Sequence, residues 1–186
     1  GIIGFGAYVP RYRLSLETIA KEWGRSGGKG ERSVASHDED SLTMALEASF
    51  SALSGLGESP QALLLATTTS PYAEKGAAGL AATVLDLSRN SFTADYGGSL
   101  RAGTAALRSA LESVQGAGPD SVLVAAADCR MAEPGSDLEA GLGDGAAAVL
   151  VGRGRPVIAE LEAYHSVSGD FTDTWRREGG AYLMRG

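Results

Sequence analysis

Short, almost uninterrupted apolar runs at Ala62 to Thr67, Asp120 to Ala127 and Ala146 to Val151 constrain this chain more than any other feature. A run of that length without polar alternation reads as a strand buried on both faces, and such a strand needs helices above and below its sheet. Helical patterns fall between the runs. Ser15 caps a helix from Leu16 to about Trp23, and Asp38 or Ser41 opens a second in which Leu42, Ala45, Leu46, Ser49, Phe50 and Leu53 keep helical spacing. A third is expected from Gly76 to Leu87 and a fourth from Leu100 to Leu111. Ile2 to Val9 reads as a strand stopped by Pro10, which has no N–H for a ladder. Ser91 to Asp95 reads as another, and Pro156 to His165 as a last one with Val157, Ala159, Leu161 and Ala163 alternating. Arg25 to Arg32 reads as a glycine-rich loop. The alternation makes an α/β layered fold.

Composition narrows the function classes. A chain of 186 residues buries a full core, and a net charge of -7 argues against a nucleic-acid or anionic-membrane surface. Arg11, Arg13, Arg25, Lys29 and Arg32 gather near the N-terminus; a solvated loop is the first reading of them, anion binding the alternative. The lone Cys129 allows no internal disulfide, and without a signal-like segment a cytoplasmic setting is expected. No apolar run approaches the roughly 20 residues that span a bilayer. The chain enters a strand directly at Gly1 and stops at Met184-Arg185-Gly186 without a closing element, so a piece of something longer is expected.

The stretch from Ala94 to Leu107 carries the chemistry. It reads as a strand end, a Gly97-Gly98 elbow and a helix of small residues, Ala102, Gly103, Thr104, Ala105 and Ala106. So thin a helix is expected at the centre of the layers. Its first turn offers unpaired N–H groups and the positive end of the helix dipole, a seat for a thiolate or an oxyanion. Leu100 occupies that seat and can act as neither.

These motifs resemble the thiolase-fold condensing enzymes, in the branch of 3-hydroxy-3-methylglutaryl-CoA synthase and ketoacyl synthase III. Gly1 to Pro10 is similar to their opening strand, Val34 to Ala45 to the start of their second helix, and Gly143-Asp144-Gly145-Ala146 to a glycine turn before their fifth strand. Asp173-Thr174-Trp175-Arg176-Arg177 resembles the segment after the first strand of their second half. The resemblance implies a thiolase-like layered αβα fold, the first half of a duplicated βαβαβαββ unit plus the start of the second. Residues 1–155 would form the N-terminal half and 156–186 the beginning of a truncated C-terminal half.

It also implies an acyltransferase that forms C–C bonds on coenzyme A thioesters, with a cysteine nucleophile and a glutamate acid/base. Those positions fall on Leu100 and Thr68, while the family histidine belongs to the second half and matches neither His37 nor His165. Substrate-binding positions fall on Ser99, Arg101, Gly143, Asp144 and Gly145. The implied ligand is a coenzyme A thioester, with no tightly bound cofactor and no metal.

Other residues offer no evident replacement. Cys129 reads as a small hydrophobe at a strand end, and Ser99 lacks an identifiable base. Asp95, Glu74 and Asp144 read as caps or solvated carboxylates, Tyr72 and Tyr96 as packing residues. Asp38-Glu39-Asp40 reads as helix capping rather than a metal cluster, and neither Gly4-Phe5-Gly6 nor Gly143-Asp144-Gly145 completes a phosphate loop.

Three functions stay open. The first is a synthase-like protein, a pseudoenzyme candidate, that binds an acyl-CoA thioester without cysteine-based transfer. The second is a cysteine-independent acyl-CoA aldolase or lyase working with an OB-fold and zinc-ribbon partner. The third is a non-catalytic subunit of a condensing-enzyme heterodimer. The family pairs through its third strand, here Ser91 to Asp95, so a homodimer or heterodimer is expected.

Overall fold

The computed structural model describes residues 1–57, 59–153, 156–170 and 172–186. Its centre is a five-stranded mixed sheet built from β1 (Ile2–Tyr8), β4 (Ala62–Ala66), β5 (Phe92–Tyr96), β6 (Ser121–Asp128) and β7 (Gly145–Gly152), ordered β1-β7-β6-β4-β5. β4 runs parallel to β5 and β6, whereas β7 is antiparallel to β6 and β1. Alternation along the strands sorts the core into two layers. Leu63, Leu65, Leu123, Ala125 and Leu150 face α2 (Ser41–Leu53) and α3 (Ala77–Val84). Ala62, Leu64, Val122, Val124 and Val151 face α4 (Ala102–Gln115). The apolar runs are therefore strands covered on both faces, as the sequence predicts.

Two glycines set the spacing between α2 and β1. A Cβ at Gly4 would stand 2.7 Å from Ala52 O, and one at Gly6 would overlap Ala48 O and Ala52 N. The Gly4-Phe5-Gly6 motif is thus a helix–strand contact. At its start α2 is held by Asp40, which closes a capping box: Thr43 N–H donates to Asp40 Oδ1 (2.7 Å) and Asp40 N–H to Thr43 Oγ1 (2.8 Å). The cap is therefore neither Asp38 nor Ser41. Ser15 does cap α1 (Leu16–Glu22).

Several expectations need correction. Arg25 to Arg32 is not wholly loop, because β3 (Glu31–Val34) pairs with β2 (Tyr12–Ser15) in a small separate sheet. The strand expected at Pro156 to His165 does not form among the described residues. Only Ala159 bridges to Ile2, and further on Tyr164 is drawn to α4, where the Arg108 guanidinium lies 4.0 Å from its ring centroid. Helix α3 is shorter than expected at its C-terminal end, and Asp86 just beyond it takes a left-handed φ of 53°. Helix α4 begins two residues later than predicted, since Ala102 N–H donates to Ser99 O (3.0 Å) and the chain from Ser99 makes a turn first. Along α4, Ala102, Ala106, Ala110, Leu111 and Val114 are buried, while Thr104, Ala105 and Arg108 are exposed among the described residues.

Among the described residues no helix is long and apolar enough to cross a membrane.

Candidate functional site

Parallel strands deliver their following loops to one edge of a sheet, where crevices in α/β folds form. Three such loops meet here: Thr67 to Thr69 after β4, Gly97 to Leu100 after β5, and Cys129 to Met131 after β6. With the short strand β8 (Thr174–Trp175) and Arg176 they enclose a cavity of about 210 Å³. Thr68, Ser99 and Leu100 all line it, so the structure brings together the two altered positions and one predicted binding residue.

Each side chain has a definite role in the local geometry. Leu100 lies in the turn ahead of α4, 54% exposed, with its side chain on the cavity wall. Ser99 Oγ accepts from Arg101 N–H (3.2 Å). Thr68 is engaged by Asp128, a residue the sequence reading missed. Asp128 Oδ1 accepts from Thr68 N–H (2.7 Å), Thr68 Oγ1 (2.9 Å), Thr67 Oγ1 (3.1 Å) and Thr69 Oγ1 (3.1 Å). The Thr68 proton points at that carboxylate, so its hydroxyl offers the cavity lone pairs and no acid.

The remaining predicted residues lie elsewhere. Arg101 caps α4 and borders a groove on the helix's outer face, with Arg108, Leu161, Tyr164 and His165. The Gly143-Asp144-Gly145 turn holds down β3: Asp144 Oδ2 accepts from Ala35 N–H (2.8 Å) and Asp144 O from Ser33 Oγ (2.6 Å). Gly143 has Ser33 Oγ 2.9 Å from the place of a Cβ. Asp95 accepts from Ala77 N–H (2.8 Å) and Ala78 N–H (3.0 Å), and so caps α3. His37 is exposed beside Asp38.

Cys129 does not line the cavity. Burial pushes its thiol up to about 12, with Asp144, Asp40, Asp128 and Glu39 adding to the shift. A thiol so protonated is no nucleophile near neutral pH. The cavity itself holds neither thiol nor carboxylate. Its walls also include Arg130, Met131 and Leu183, which the sequence does not mark, and Trp175 and Arg176, which the sequence marks by resemblance but not as cavity residues. Arg130 stands two residues past the end of the buried strand β6, a position where crevice residues of such sheets fall. Nothing local marks Leu183 or Trp175 as cavity residues. Among the described residues no group of three or more His, Cys, Asp or Glu side chains is placed to hold a metal ion.

No family model matches the chain. A hydroxymethylglutaryl-CoA synthase of Pyrobaculum aerophilum is 37% identical over 196 residues, an alignment covering 100% of this chain and 56% of that protein. A solved HMG-CoA synthase complexed with CoA superposes with a TM-score of 0.89 at 22% identity, over 100% of this chain and 50% of that one. The 3-oxoacyl-(acyl carrier protein) synthase III, FabH, of Pseudomonas aeruginosa PAO1 superposes with a TM-score of 0.73 at 28% identity, over 82% and 51%. The chain spans about half the length of the curated relatives it matches.

Proposed function

We propose that this chain, which belongs to the thiolase-fold condensing enzymes related to hydroxymethylglutaryl-CoA synthase, binds a coenzyme A thioester in the Leu100–Thr68 cavity without forming an acyl-enzyme there. One observation carries the reading. The loops after β4, β5 and β6 still build a cavity, while its walls hold no thiol and no carboxylate. Covalent transfer by the family's route needs a cysteine beside an acid/base, and the described residues of the cavity supply neither a thiol nor a carboxylate. Thioester binding needs less. The Leu100 N–H has no acceptor among the described residues and stands at the positive end of α4, where a carbonyl oxygen is favoured. On this reading residues 1–155 make up the N-terminal thiolase-like half and 156–186 open the second.

The test is a condensation assay beside a binding assay. The unaltered full-length gene product should bind acetyl-CoA or free CoA by calorimetry. It should leave acetoacetyl-CoA unconsumed in the presence of acetyl-CoA. Sustained consumption at rates typical of enzymes, on the order of 1 per second or faster, contradicts the reading.

A second reading, a subunit paired with another thiolase-fold chain, is favoured by β5. That strand is an edge of the sheet, and Phe92 on it is 64% exposed. The two readings are compatible.

A further inference from the structure

Four hydroxyl oxygens stand on the cavity wall, those of Thr68, Thr69, Ser99 and Thr174. A hydroxyl has one proton to give and lone pairs to receive with, and its neighbours decide which of these a ligand meets. Three of the four already receive. Thr69 Oγ1 accepts from Cys129 N–H (2.9 Å), Ser99 Oγ from Arg101 N–H (3.2 Å) and Thr174 Oγ1 from the Arg130 guanidinium (3.3 Å). Thr68 Oγ1 is the exception. It gives its proton to Asp128 Oδ1 (2.9 Å) and accepts from no donor among the described residues. The loop that carries it is held from several sides. The same Asp128 oxygen accepts from Thr68 N–H (2.7 Å), Thr67 N–H donates to Tyr96 O (3.0 Å), and the buried Ser41 Oγ donates to Thr69 O (2.7 Å). Turning the Thr68 proton into the cavity would break its bond to Asp128 while the loop stayed in place. The guanidinium groups on the wall, those of Arg130 and Arg176, only donate. Thr68 Oγ1 is therefore the side-chain oxygen prepared to accept.

We propose that Asp128 is a positioning residue: it holds Thr68 Oγ1 as an acceptor toward the cavity, so that the wall favours a ligand with a hydroxyl there over one with a carbonyl oxygen. Asp128 does not itself line the cavity and acts through Thr68. A ligand hydroxyl completes the bond. A carbonyl oxygen sets lone pair against lone pair and leaves two acceptors without a proton, which lowers affinity in a buried site. A glutamate at this position, as the resemblance expects, could protonate and serve either ligand, so the selection belongs to Thr68. The inference rests on the thioester reading above and adds a choice between acyl groups.

3-Hydroxybutyryl-CoA and acetoacetyl-CoA make the test, because they share a four-carbon acyl chain and differ in the oxygen at C3. Calorimetry on the full-length gene product should favour the hydroxy compound about tenfold, the effect of one hydrogen bond. Thr68→Val removes the acceptor and should weaken the hydroxy compound alone, bringing the ratio of the two affinities close to one. Asp128→Ala frees the Thr68 proton and should lower the ratio in the same way. Asp128→Asn keeps an oxygen that accepts and should retain the ratio, with the melting temperature of each variant measured alongside. Equal affinities in the unaltered protein, or a preference for acetoacetyl-CoA, overturn the inference and leave thioester binding standing. A Thr68→Val variant with the unaltered ratio also overturns it. An Asp128→Ala variant that weakens both ligands equally shows a merely structural carboxylate and overturns the role of Asp128. Should that variant not fold, Thr68→Val and Asp128→Asn still decide. Binding of neither thioester and of no free CoA overturns the thioester reading, and this inference with it.

Discussion

A leucine side chain at position 100 puts a branched hydrocarbon against a cavity whose backbone surroundings favour negative charge. Its effect is separable from that of Thr68, whose proton is committed to Asp128. We predict that Leu100→Cys gains a thiol that iodoacetamide alkylates readily, helped by the end of α4, yet gains no condensing activity while Thr68 remains. Turnover of acetyl-CoA and acetoacetyl-CoA by that single variant would refute this. Cys129 makes the internal control. Its thiol, pushed up to about 12 by burial and then by Asp144, Asp40, Asp128 and Glu39, carries a thiolate fraction of only about one in ten thousand at pH 8. Alkylation of Cys129 in the folded protein should therefore run at least about a hundredfold slower than in the urea-unfolded chain, and should accelerate as pH rises. Equal rates folded and unfolded would show a reactive thiol and reopen it as a substitute nucleophile.

Between neighbouring elements, the contact of α2 with β1 is the tightest joint that positions the sheet. Gly6→Val would drive a branched side chain into Ala48 O and Ala52 N, and we expect it to cost about 3 kcal/mol, read from urea denaturation. The Asp40 cap is a smaller effect: Asp40→Ala should cost about 1 kcal/mol, and no measurable loss would show that the capping box is not needed. Much of this architecture was legible beforehand. Strands β4, β6 and β7 announced themselves because burial on both faces leaves no polar alternation. Helix α1 was legible through Ser15, a side-chain cap with a local signature. The β2–β3 pair was not, since its four-residue strands are largely polar and are separated by α1. Residues 156–165 misled by alternating like a strand while finding one bridge to β1, because alternation specifies a face and not a partner. The cavity was half legible. Thr68, Ser99 and Leu100 follow strands, but Arg130, Trp175, Arg176 and Leu183 meet them only through the tertiary fold.

At the level of the whole molecule, two surfaces are open among the described residues. The β5 edge presents unpaired backbone groups, and Phe5 on β1 is 64% exposed on the sheet face that α4 leaves uncovered. We propose a dimer through β5, as homodimer or with a second thiolase-fold chain. Phe92→Lys should then weaken it at least about tenfold in light scattering across a dilution series, by placing a charge on the edge. An unchanged dissociation constant would move the interface elsewhere. Mass spectrometry of the full-length protein incubated with acetyl-CoA distinguishes a bound thioester from a covalent acyl-enzyme. Native conditions should show the protein carrying intact acetyl-CoA, and denaturing conditions the bare polypeptide mass. An acetyl adduct that survives denaturation and maps to a cavity residue would contradict the account.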